Sequence, residues 1–235
     1  MQPNNDAQHY NELGQAIGFP VAWQAKPVPS FPILTGQYCR LEPLSLQHAQ
    51  DLFAAFTADQ EHRIWTYLPY GPFTDFTSFS AWLEKNTSSK DPVFYSILNA
   101  EGKALGMASY LRIDPANGVI EVGHINFSPA LQKTRAATET MYLMMHYAFE
   151  DLGYRRYEWK CDALNKPSRQ AAERLGFQFE GIFRQATVYK HRNRDTAWYS
   201  ILDSEWPALK QKFDAWLEPS NFDTNGRQIN KLVAG

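Results

Sequence analysis

From Val93 to Phe127 the chain reads as three strands in immediate succession, Val93–Leu98, 104–113 and Val119–Phe127. They are joined only by Asn99-Ala100-Glu101-Gly102 and Asp114-Pro115-Ala116-Asn117-Gly118. Both connections have hairpin composition and are too short to hold a crossover helix. Three strands linked in this way are unlike a doubly wound nucleotide fold, which places a helix between successive strands. On the N-terminal side, residues 38–44 alternate as a half-buried strand, and Ser45 caps a helix carrying Leu46, Ala49, Leu52, Phe53 and Phe56. Phe76, Phe79, Trp82 and Leu83 mark a second helix.

Beyond the hairpins, Ser128-Pro129 introduces a long helix with Ala137, Met141, Met144, Met145, Ala148 and Leu152 on one stripe and Gly153 as its stop. A Met stripe at this spacing reads as core packing. Residues 156–161 then read as a strand, 167–175 as a helix opened by Asn165, 177–189 with 197–202 as a closing hairpin, and Trp206–Leu217 as a last helix. The order predicts an α/β (α+β) fold, one mixed sheet wrapped by helices, with no internal repeat. Residues 1–30, with Pro20, Pro27 and Pro29, are expected as a surface arm, 31–218 as the folded domain and 219–235 as a tail.

Composition narrows the function classes. The chain has 235 residues, 44% hydrophobic and 14% aromatic, enough for a sizeable core. Its 23 basic and 25 acidic residues give a net charge of −2, which argues against general nucleic-acid binding. No apolar run approaches the roughly 20 residues that span a bilayer, and the first residues lack the basic and apolar regions of a secretory signal, so a cytoplasmic protein is expected. The two cysteines, Cys39 and Cys161, offer neither metal-ligand spacing nor a disulfide framework; reduced thiols and no bound metal are expected.

The chemistry concentrates where the third strand runs into the long helix. The first amides of a helix lack intrahelical partners and carry the positive end of the macrodipole. A pyrophosphate can therefore lie against Lys133, Thr134, Arg135, Ala136 and Ala137, with two full charges beside the amides. The alternative is simply a capped helix.

A second stretch, Asn165-Lys166-Pro167-Ser168 followed by Leu175-Gly176-Phe177, weighs toward the anion site. Together with Pro129 and Gln132, Gln132-Lys133-Thr134 before Thr138-Glu139, and Ala148-Phe149-Glu150 before Leu152-Gly153, it resembles the GNAT superfamily of acyl-CoA-dependent N-acyltransferases. The resemblance is to the ribosomal-protein N-terminal acetyltransferase-like branch and spans residues 38–202 in element order. It implies a GNAT-type, mostly antiparallel sheet with a bulged central strand, and Gly123 is the natural place for that bulge. It implies acetyl-CoA as co-substrate, held by the amides of Phe127 and of the loop Gln132-Lys133-Thr134-Arg135-Ala136-Ala137, with Asn165 on a pantetheine amide. The superfamily's phosphate loop has glycine at the first of two positions and glycine or alanine at the second. Arg135 stands at the first and Ala137 at the second, so Arg135 must take helical dihedrals and turn its side chain aside or onto phosphate.

Acyl transfer to an amine needs a base for the amine and a donor for the departing thiolate. The resemblance makes Glu121 the base, directly or through water, and His124 the alternative; a structural salt bridge and a core histidine are the rival readings. Ser168 takes the thiolate-stabilising role, since Ala172 stands where many relatives carry a Tyr acid; it could equally be a first-turn hydroxyl. Glu139 reads as a helix-dipole partner and Cys161 as a buried thiol. The Pro-broken loop 65–73 is expected to form the acceptor wall through Trp65, Tyr67 and Tyr70, hinge packing being the alternative. Lys190-His191-Arg192-Asn193-Arg194 reads as a basic, solvated hairpin tip that could guide an acidic peptide or the CoA 3′-phosphate. The expected activity is acetyl-CoA-dependent acetylation of a primary amine, on a protein N-terminus or a small amine. The rival is a catalytically silent acyl-CoA-binding or protein-interaction module. A homodimer is left open.

Overall fold

The structure is a computed structural model in which residues 8–232 are described; residues 1–7, where the secretory signal was judged absent, and 233–235 lie outside the described residues. In the N-terminal arm β1 (His9–Tyr10) pairs with β2 (Ala16–Ile17). The main sheet takes β3 (Leu34–Thr35), β4 (Arg40–Pro43), β5 (Val93–Leu98), β6 (Ala104–Asp114), β7 (Val119–Phe127), β8 (Arg156–Asp162), β9 (Gln178–Tyr189) and β10 (Arg192–Leu202). Among the described residues it is eight-stranded, in the order β3-β4-β5-β6-β7-β8-β10-β9. All neighbours are antiparallel except β7 and β8.

Helices cover both faces, and strand alternation assigns the side chains to them. Phe94 and Leu98 of β5 face α1 (Ala49–Thr57) and α2 (Phe76–Thr87), where Leu52, Phe56, Phe79 and Leu83 complete one core. Tyr95 and Ile97 face the other way, into the core filled by α3 (Arg135–His146) and α5 (Trp206–Leu217). The Met stripe is core: Met141, Met144 and Met145 are buried. α4 (Lys166–Arg174) lies between β8 and β9 in sequence, opened by Asn165, whose side chain accepts from the Ser168 amide.

Glu139, expected as a dipole partner, instead accepts the amides of Gln37, Tyr38 and Cys39 at 2.7, 2.6 and 2.8 Å. This carboxylate ties the turn before β4 to α3, and the close approach is why residue 36 is glycine: a Cβ there would overlap the carboxylate. Trp23 seats the arm on the β6–β7 turn, its indole donating to the Ala116 carbonyl at 2.7 Å.

Residues 219–232, part of what was read as a tail apart from the domain, fold back on it. Leu232 is buried in the α3/α5 core, and the buried Asn221 side chain donates to Trp216 O and Asn230 O. Polar, turn-rich composition hid this, because only single residues of the segment pack inward.

Parallel pairing of β7 with β8 runs from Val119↔Arg156 to Val122↔Trp159 and stops there. On its other edge β7 carries one residue more than β6 between Ser109↔Gly123 and Met107↔Asn126, and His124 has φ 50°. The bulge therefore centres on His124, one residue beyond Gly123. Gly123 supplies the close approach, where a Cβ would come within 2.9 Å of Leu111 Cδ2. Bent by the bulge, β7 leaves β8 and opens a V between them.

Gly36→Ala should lower stability by about 1–3 kcal/mol, because the new methyl displaces the Glu139 carboxylate from its three amides. Urea denaturation measures it, and an unchanged midpoint would contradict this account of the turn.

Candidate active site

The V opens into a cavity of ≈ 1590 Å³ that reaches from the start of α3 to the loop after α1. On the α3 side, Lys133 sits at φ 61° and Thr134 caps the helix, its hydroxyl accepting the Ala137 amide at 3.1 Å. The Gln132 and Thr134 amides are also taken, by Ser128 O and Leu131 O. Among the described residues this leaves the amides of Lys133, Arg135 and Ala136 without acceptors, so three of the expected anion-binding amides are free and those of Thr134 and Ala137 are not. The Gln132 side chain bridges its own loop, donating to Phe127 O at 2.9 Å.

Arg135 is helical and turns aside. Its guanidinium lies 4.6 Å from the Tyr38 ring centroid and 4.8 Å from that of Phe222, which clears the loop that a glycine would otherwise have to keep open.

Where β7 and β8 part, the Glu121 Oε2 atom meets Arg112 Nη1 at 2.6 Å and Lys160 Nζ at 2.9 Å. Lys160 also pairs with Glu158 at 2.7 Å and lies 3.7 Å from the Trp198 ring. The salt-bridge reading of Glu121 is thus realised, yet only through one oxygen. Oε1 takes no donor among the described residues and keeps solvent contact in the cavity. Burial pushes the Glu121 carboxyl above its ordinary range, while Lys160 and Arg112 pull it back.

His124 lines the same cavity, with its Nδ1 buried and unpartnered. The ring stacks on Tyr70 at 5.6 Å and tilts against Phe94 at 5.1 Å. Burial, and then the charges of Arg112 and Arg194, push it down to about 4. The imidazole is thus neutral and a weak base at pH 7, as the core-histidine reading has it.

On the β8 limb, Ser168 Oγ accepts from Trp159 Nε1 at 3.0 Å, which leaves its own proton to donate. Asn165 lines the cavity with its amide oxygen committed to capping α4. Ala172 is fully buried away from the cavity. Burial raises the Cys161 thiol, so it stays protonated.

The aromatic loop divides. Trp65 is 3% exposed and packs on Phe56, Tyr70 and Phe73 in the α1/α2 core, which corrects its assignment to the acceptor wall. Tyr70 is likewise turned inward, onto His124 and Trp82. Tyr67 does line the cavity, its hydroxyl donating to Leu164 O at 3.3 Å. The basic hairpin tip is not a free solvated turn: Lys190 Nζ donates to Trp65 O and Arg192 Nη2 to Thr66 O, both at 2.8 Å. Aromatic content gave no direction for these rings, whereas the tip's cations hold the loop's carbonyls.

Residues missed by sequence reasoning include Lys160, Arg112 and Asn126. Asn126 is 1% exposed and lines the cavity with neither side-chain polar atom partnered. Orphaned polar groups of this kind are costly unless a ligand completes them. With three free amides above, they make the cavity a fit for the long, phosphorylated, amide-bearing arm of a coenzyme A thioester. Among the described residues no group of three or more His, Cys, Asp or Glu side chains could hold a metal ion, and no helix is long and apolar enough to cross a membrane.

Residues 39–178 match the acetyltransferase (GNAT) domain family, and the chain belongs to that family. It is similar in structure to a GCN5-related N-acetyltransferase from Brucella melitensis, at 51% identity and a TM-score of 0.88 over 90% of this chain and 96% of that one. In sequence it is similar to the uncharacterized N-acetyltransferase YnaD of Bacillus subtilis, 25% identical over 157 residues, 67% of this chain and 91% of the relative. It is also similar to the ribosomal-protein-serine acetyltransferase of Escherichia coli, 29% identical over 106 residues, 45% of this chain and 59% of the relative. The protein is an N-acetyltransferase, of the fold and superfamily that its motifs imply.

Because His124 is held neutral in the fold and charges freely when unfolded, stability should fall as pH drops from about 6.5 towards 4. His124→Gln should flatten that part of the curve, and an NMR titration should place the imidazole near 4. A titration near 6.5 would contradict the packing described for this ring.

Proposed function

We propose that the protein transfers the acetyl group of acetyl-CoA to a primary amine, with a protein amine as acceptor, as the name of the Escherichia coli relative suggests. The observation that carries this reading is the single cavity, which has free helix-start amides at one end and a half-free buried carboxylate at the other. Acetyl-CoA supplies the thioester on which the amine acts.

The amides of Lys133, Arg135 and Ala136 hold the pyrophosphate, with the Lys133 charge beside them. Glu121 receives the proton of the attacking amine at Oε1, directly or through water, while its Oε2 stays fixed by two cations. This suits a base: one oxygen sets the geometry, the other does the work, and a carboxyl pushed upward by burial is better matched to an amine than an exposed one. Neutral His124 lines the path and adds no competing charge. Ser168, already accepting from Trp159, donates to the departing thiolate. Tyr67 forms part of the acceptor side. The chemistry requires no disulfide, and both cysteines are free thiols, in keeping with a cytoplasmic setting.

Glu121→Gln should lower kcat by about 10² to 10⁴ with CoA affinity nearly unchanged, since the amide keeps the shape and removes the basicity. CoA release measured across a panel of peptides and small amines reads the loss and identifies the acceptor. A Glu121→Gln enzyme with full turnover would remove the base from this scheme.

A further inference from the structure

The phosphate end of the cavity carries more positive charge than helix-start amides and Lys133 account for. Lys133, Arg135, Arg174 and Arg227 all line it, and among the described residues none of the four makes a salt bridge. The chain as a whole is slightly acidic, with a net charge of −2, so this clustering of positive charge is local. Four unpaired cations at one end of one cavity form a field that only an anion with several charges relieves.

Two of these cations come from outside the helix start and are joined through one aromatic side chain. Arg174, at the end of α4, lies 5.2 Å from the Trp216 ring, and its Nη1 donates to Thr138 Oγ1 of α3 at 3.3 Å. Trp216 in turn donates through Nε1 to Gln228, the neighbour of Arg227, at 2.9 Å. The turn that carries Arg227 is built for position: the Asp223 carboxylate accepts the amides of Asn225 and Arg227 at 2.9 and 2.8 Å. That carboxylate is therefore engaged by its own backbone, and the Arg227 side chain remains free. Phe222, the first residue of the turn, packs on Arg135 and lines the same cavity. Residues 222–228 lie beyond the 39–178 that match the acetyltransferase family.

We propose that the C-terminal segment is a wall of the cofactor site, in which Arg227 and Arg174, with Arg135 between them and the loop, bind a third phosphate. That phosphate is the 3′-phosphate on the adenosine of coenzyme A, set apart from the pyrophosphate at the free amides. The inference rests on the acetyl-CoA reading and extends it to residues after α5. It also gives Arg135 a function at the position where the superfamily loop has glycine: it is a phosphate ligand held ready by Tyr38 and Phe222 rather than an obstruction.

Isothermal titration with CoA and with 3′-dephospho-CoA separates the two phosphate sites without requiring turnover. The intact chain should bind CoA about tenfold or more tightly than 3′-dephospho-CoA, the range expected for charge-assisted hydrogen bonds to one phosphate. Arg227→Ala should remove most of that preference by weakening CoA alone, and Arg227→Lys should restore part of it. Arg227 is exposed, so the variants should keep the wild-type unfolding temperature, which circular dichroism checks. Equal affinity of the intact chain for the two ligands would overturn the inference, as would an Arg227→Ala variant weakened equally for both. Failure of the intact chain to bind either ligand would overturn the acetyl-CoA reading, and this one with it.

Discussion

The rest of the site depends on the four-residue parallel pairing of β7 with β8 and on the charges that hold it. Glu121 and Glu158 are register partners on adjacent strands, and two buried carboxylates side by side would force the strands apart. Lys160, two residues beyond Glu158 and so on the same face, lies between them and bonds to both. Arg112 and Arg156 close the row from outside, and Arg156 continues to Glu180 through two hydrogen bonds. In a row of this kind removal of one member strands the others, at a cost on the order of 3–5 kcal/mol for a buried pair. The pairing therefore persists up to Val122 and Trp159, and the bulge at His124 then opens the strands.

The cavity that results is electrically two-ended. At the α3 end, unsatisfied amides and unpaired guanidinium groups favour phosphate. At the other end the Glu121 carboxylate is paired with Arg112 and Lys160, and the His124 imidazole is kept uncharged by burial. The nearest cations there, Arg112 and Lys160, are already engaged by Glu121. In the proposed scheme cofactor and acceptor enter one cavity by different chemistry, and the acyl group passes between them where β7 and β8 separate. The hairpin tip, through Lys190 and Arg192, holds the loop that carries Tyr67.

Much of this was legible in the sequence because it is local. Two short turns defined the central strands, the 3.6-residue stripe placed the Met residues of α3 in the core, and Asn165 and Gly153 marked helix ends. The helix start, with its free amides, was readable for the same reason. What was not legible depends on which strand lies beside which. Lys160 and Arg112 become partners of Glu121 only once β8 is known to run parallel to β7 and β6 is known to bulge at Arg112, where φ is 47°. The aromatic loop carries the same lesson: its residue types announce contact area, yet Trp65 spends that area on the α1/α2 core and only Tyr67 faces the cavity. The segment after α5 was passed over because its packing rests on Phe222, Asn221 and Leu232, spaced too irregularly to form a pattern.

Amide hydrogen exchange with and without CoA tests the central claim most directly, because the free amides of Lys133, Arg135 and Ala136 should exchange quickly alone and slow markedly when pyrophosphate accepts them. The account predicts protection concentrated in residues 127–137, with β1, β2 and the exposed face of β9 unchanged. Protection absent from the start of α3, with CoA bound elsewhere on the chain, would contradict it.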